Sequence, residues 1–104
     1  MSEGGGMTAE EMRQVARSGS APPDGLDLAL RALWWAAGGD WARAHETAQQ
    51  GKDAAAAWVH AWLHRQEGDL SNADYWYRRA GRRRMEGPLE AEWSAIAEAL
   101  LAGD

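Results

Sequence analysis

The chain has no cysteine, no phenylalanine and only three prolines. Its β-branched side chains are few: Thr8, Val15, Thr47, Val59 and Ile96. Each shortage excludes something. Without cysteine there are no disulfides and no thiolate metal sites, which is compatible with a reducing cytoplasm. So few β-branched residues disfavour a strand-based fold. No apolar run approaches the ~20 residues of a membrane span. The polar, glycine-rich opening Met1–Met7 does not read as a signal peptide. An excess of positive charge is missing too. The net charge of -5 argues against general nucleic-acid binding. Arg outnumbers Lys ten to one, which we associate with a GC-rich bacterial genome.

What is present is tryptophan, alanine and a punctuation mark. The 104 residues have room for one domain. Seven tryptophans can supply a core, since each buries about 150–250 Å². Alanine is the best helix former. A Gly-Asp pair recurs at Gly39-Asp40, Gly68-Asp69 and Gly103-Asp104, each closing a run rich in Ala, Leu and Trp. Glycine stops one helix and aspartate caps the next. After the first two pairs an alanine follows four residues beyond the Asp, at Ala44 and Ala73. Thr8 to Glu11 form a capping box that predicts a helix over 9–17, with Met12, Val15 and Ala16 as its apolar side. Ser18 to Gly25, with Pro22-Pro23, reads as a linker. We therefore expect a flexible leader at 1–25 carrying a short helix, then a single all-α domain over 26–104. Its helices start near Leu26, after Asp40, after Asp53 and after Asp69. A last helix has Pro88 in its first turn.

The segment Gly68-Asp69-Leu70-Ser71-Asn72-Ala73-Asp74-Tyr75-Trp76-Tyr77-Arg78-Arg79-Ala80 resembles the second half of a tetratricopeptide or Sel1-like repeat. In those families a Gly-Asp turn precedes a small residue, an aromatic and an alanine. The resemblance implies stacked antiparallel helical hairpins, about two and a half repeats here, and protein binding.

Candidate chemistry is sparse. His60 and His64 stand four apart on one helix face, a two-ligand metal spacing. A third ligand would come from Asp74, Glu67 or His45. The bland alternative makes the rings interior groups bonded to Tyr75, Tyr77 or Asp74. His45-Glu46-Thr47-Ala48-Gln49 is one residue short of the HExxH zinc-protease motif, because Gln49 stands where the second histidine belongs. Gly4-Gly5-Gly6 is followed by no Lys-Ser/Thr pair and makes no phosphate loop. We assign no catalytic residue, no metal and no cofactor from the sequence.

Arg78, Arg79, Arg82, Arg83 and Arg84 form one basic cluster beside Tyr75, Trp76 and Tyr77. Arginines interleaved with aromatics can bind a single strand. Glu86, Glu90, Glu92 and Glu98 follow at once, which favours internal salt bridges or an acidic partner. Trp34, Trp35 or Trp76, if exposed, would anchor a partner or a second copy. The sequence reading is thus a non-catalytic, cytoplasmic protein-interaction module, able to form a homodimer and with no membrane segment. Its surface is drawn from Trp35, His60, His64, Tyr75, Trp76, Arg78, Arg79, Arg82 and Arg83. The alternatives are a metal-dependent enzyme using His60 and His64, and a nucleic-acid accessory using the Arg78–Arg84 cluster.

Overall fold

A computed structural model describes residues 7–103. The glycine-rich leader over 1–6, and Asp104 of the third Gly-Asp pair, lie outside them. Among the described residues there are six α-helices and no strand: α1 (Ala9–Arg17), α2 (Leu28–Ala37), α3 (Trp41–Gln50), α4 (Ala54–Glu67), α5 (Leu70–Ala80) and α6 (Leu89–Leu101). None is long and apolar enough to cross a membrane.

Local chemistry sets the ends. Four helices start on an aspartate whose carboxylate accepts a backbone N–H three residues on: Asp27 from Leu30, Asp40 from Arg43, Asp53 from Ala56 and Asp69 from Asn72. Each cap satisfies a donor that the helix cannot, worth about 1 kcal/mol. Thr8 and Glu11 exchange the two bonds of the expected capping box. Pro88, expected inside the first turn of the last helix, is instead its N-cap residue with extended backbone and no side-chain bond. Gly68 ends α4 at φ +89°, where only glycine is comfortable, and the Asp69 N–H then reaches the His64 carbonyl at 2.9 Å. Gly51 is needed for space, because a Cβ there would lie 2.5 Å from the Ala56 Cβ.

Short turns make neighbours of α2 and α3, and of α4 and α5. Helices α2, α4 and α6 pack against one another as a central trio. Helix α3 lies against α2 and α4. Helix α5 lies against α4, its backbone standing clear of α3 and α6, and it reaches α6 through the Tyr77 side chain. Ala44 and Ala73, the small residues after each Gly-Asp turn, are fully buried and let the helices approach closely. Helix α1 packs on α2 and α6, with Met12 fully buried. Residues 9–17, expected as part of a flexible leader, therefore contribute to the same core. Their amphipathic face explains it: Met12 and Ala16 turn inward, while Val15 stays exposed.

Tryptophan cross-ties the elements. The Trp93 indole N–H on α6 donates to the Leu33 carbonyl of α2 at 3.1 Å. Trp62 on α4 donates to the Leu89 carbonyl of α6 at 2.9 Å. Trp41 on α3 donates to the Leu63 carbonyl of α4 at 3.1 Å, and Trp34 to the Ser20 carbonyl at 2.7 Å. Each ring thus adds a directional bond to its large apolar burial. A buried polar knot joins α4, α5 and α6. The Tyr77 hydroxyl and the Arg65 guanidinium both donate to Glu92, which is 1% exposed. Burial, then the bond to Glu92, drives the Tyr77 pKa upward.

Candidate functional site

Helices α3 and α5 flank α4 without meeting each other, and the side chains between them are aromatic. His45 sits one turn after Trp41 on α3, and the two rings stack at 4.8 Å. His60 and His64 share a face of α4, with ring centroids 4.9 Å apart. The His45 ring approaches His60 at 4.6 Å and His64 at 5.2 Å, edge-on in both cases. Trp76 of α5 covers His60 at 3.9 Å, nearly parallel. The histidines are three in number, the whole complement of the chain, and all of them meet here. One ligand nitrogen from each lies within 4.8 Å of the other two.

The electrostatics of the cluster are specific. His60 and His64 are buried and His45 is half-buried. Desolvation, and then the neighbouring His45 and His64, push His60 down to about 4. Desolvation also lowers His45, with His64 adding to the effect and Glu67 opposing it. These two rings are therefore neutral near pH 7 and carry free lone pairs. His64 Nδ1 lies 2.9 Å from the Glu67 carboxylate, one turn on in α4. A carboxylate only accepts, so Nδ1 holds a proton, and in the neutral form of the ring Nε2 is an acceptor. That Nε2 is buried and has no hydrogen-bond partner among the described residues.

The expected side chains divide into two groups. His60, His64 and Trp76 converge, and His45 joins them as the third imidazole. Asp74 pairs with Arg84 at 3.8 Å instead. Tyr77 turns away to Glu92, so the imidazoles are not bonded to it. The second group is exposed. Tyr75, Arg78, Arg79, Arg82 and Arg83 line the outer side of α5 and the segment after it. Arg79 donates to the Tyr75 hydroxyl at 3.1 Å and lies over the Trp76 ring. Arg82 lies over Trp58 at 3.9 Å. Within the basic cluster, Arg84 alone has a carboxylate in ion-pair range among the described residues.

Trp35 belongs to neither group. It is half-buried on α2 beneath the Arg43 guanidinium at 4.6 Å. Trp34 is fully buried and Trp76 half-buried, so the exposed large apolar side chains among the described residues are Val15, Leu70, Tyr75 and Met85. Sequence reasoning missed the Trp41 lid on His45, although an aromatic four residues before a histidine is a readable helix pair. It also named Glu92 together with Glu86, Glu90 and Glu98 without distinguishing it from them. Only its place beside Trp93 on the inward side of α6 separates it from them.

Comparison with known proteins finds no family model that matches the chain, and no match among the curated proteins or the solved structures.

Proposed function

We propose that the chain is a non-catalytic protein-interaction module of the bacterial cytoplasm, built from tetratricopeptide- or Sel1-like hairpins. The first two Gly-Asp turns, and the buried alanine four residues beyond the Asp of each, support the hairpin reading. The observation that carries the functional reading is a set of unpaired arginines. Arg78, Arg82 and Arg83 are exposed, and no carboxylate of the described residues lies in ion-pair range of them. The chain as a whole is acidic. A local cationic edge on such a protein takes an acidic segment, because guanidinium forks pair with carboxylates two bonds at a time. A single strand of nucleic acid fits less well, since Trp76 already stacks on His60 and lies under Arg79.

Fluorescence anisotropy with an acidic peptide, and with a single-stranded oligonucleotide of equal charge, tests this. The peptide is expected to bind better. Arg78→Glu with Arg83→Glu is expected to weaken it about tenfold or more, because hydrogen bonds to charged groups contribute on the order of 1.5–3 kcal/mol each. Preference for the oligonucleotide, with a steep salt dependence, would move the chain to the nucleic-acid reading. Sedimentation velocity of the same variants reads self-association.

A further inference from the structure

The geometry points to a transition-metal site in which His45, His60 and His64 supply three imidazole nitrogens and Glu67 orients the His64 ring. Three observations lead there independently of any partner surface. The fold gathers every histidine of the chain, from two helices, around one point. The His64 Nε2 is buried with no hydrogen-bond partner among the described residues, and His64 as a residue is only 6% exposed. A carboxylate holds the opposite nitrogen of the same ring at 2.9 Å. An imidazole that only fills a core finds a partner for both nitrogens or is replaced by something apolar. Leaving one acceptor orphaned costs about 1–3 kcal/mol. Metal-ligating histidines carry the opposite arrangement: the distal N–H is tied to a carboxylate, and the proximal lone pair waits for the ion.

The donor set selects the ion class. Nitrogens without thiolates suit zinc, cobalt(II), nickel(II) and copper(II), while magnesium and calcium prefer oxygen. Tetrahedral coordination at ~2.0–2.1 Å places ligand nitrogens about 3.3 Å apart, so the rings must draw together by no more than about 1.5 Å. Side-chain rotation can supply much of that. Trp41 and Trp76 wall the cluster, and half-buried His45 is its solvent edge. No carboxylate completes the three-nitrogen group among the described residues. The fourth position is therefore left to water or to a donor from outside the described residues. Glu67 provides the negative charge that a buried dication requires.

The test uses the whole chain, free of any affinity tag and stripped with a chelator. Zinc is titrated in competition with a chromophoric chelator, and cobalt(II) by its visible d–d bands. One ion per chain is expected, with a tetrahedral cobalt spectrum. His45→Ala, at the half-buried edge, should weaken zinc by about a hundredfold or more. Glu67→Gln should weaken it by about 10–100-fold, the usual effect of losing a partner outside the ligand shell. Circular dichroism checks that both variants keep their helices. A readout free of substitution guards against variants that do not fold: nitrogen chemical shifts of the histidine rings in the wild-type chain, where zinc should move His64 Nε2 and leave Nδ1 protonated. Failure of both ions to saturate at one per chain would overturn the assignment. So would equal affinity in folded His45→Ala, or an unmoved His64 Nε2 (an ordered water would then be its partner).

Discussion

The central trio of helices and the cleft outside α4 are made from the same kinds of residue, yet they treat polar atoms oppositely. Where the trio's helices face one another, buried polar groups are paired. Trp93 and Trp62 donate to carbonyls of neighbouring helices, and Glu92 accepts from Tyr77 and Arg65. In the cleft the rings stack or meet edge-on, and one buried nitrogen faces no partner among the described residues. The first arrangement is what stability alone would select. The second gives up stability locally, which is the mark of a place kept for something else. Substitutions that treat both regions alike can separate these two demands.

The largest effect is expected in the trio. Trp93→Ala removes a ring that is 3% exposed, together with its bond to Leu33. It should destabilise the fold by about 3–5 kcal/mol, read as a lower urea midpoint at an unchanged slope. A loss below about 1 kcal/mol would mean that the trio collapses around the hole and is not a rigid frame.

The next largest effect is acid sensitivity of the cleft. His60 sits at about 4 when folded, below its ordinary 6.5, because burial and the adjacent His45 and His64 disfavour its charged form. Between those two values the unfolded chain binds the proton and the folded chain does not. Stability is therefore fully present above about 6.5 and falls as the pH drops toward about 4. Urea midpoints at steps across that window, for the wild type and for His60→Gln, read the difference. The variant should lose less on acidification, and parallel curves would contradict the assignment.

The smallest change is expected at His64. Replacement by Leu removes the orphaned nitrogen along with the Glu67 bond, and the two losses oppose each other. Stability should stay within about 1 kcal/mol of the wild type. A loss as large as that of Trp93→Ala would show that the cleft is structural after all.

The helix ends were readable because their causes are local. Asp40, Asp53 and Asp69 lie immediately before the helices they cap, and Gly68 lies where its helix must turn. The pairing of His60 with His64 was readable for the same reason, since both belong to one helix face. The third histidine was legible only as one choice among three. Whether His45, Glu67 or Asp74 closes the group depends on how α3 and α5 seat on α4, and no short-range signal sets that. Asp74 went to Arg84, and Glu67 took the far side of the His64 ring. Glu92 was illegible. A glutamate among glutamates reads as solvated until the tertiary fold places a tyrosine and an arginine above it. Residues 9–17 announced a helix through their capping box, but not that Met12 would be fully buried.

The bond from Trp93 to Leu33 spans 60 positions of the chain. A ribosome extruding this protein releases α2 to α5 well before it releases α6. The early hairpins can form as they emerge, from contacts already at hand. Sealing their shared interior waits for the last helix to arrive. Until then the Leu89 carbonyl that receives Trp62 is also missing, and a nascent chain stalled there would offer bare indole to any chaperone within reach.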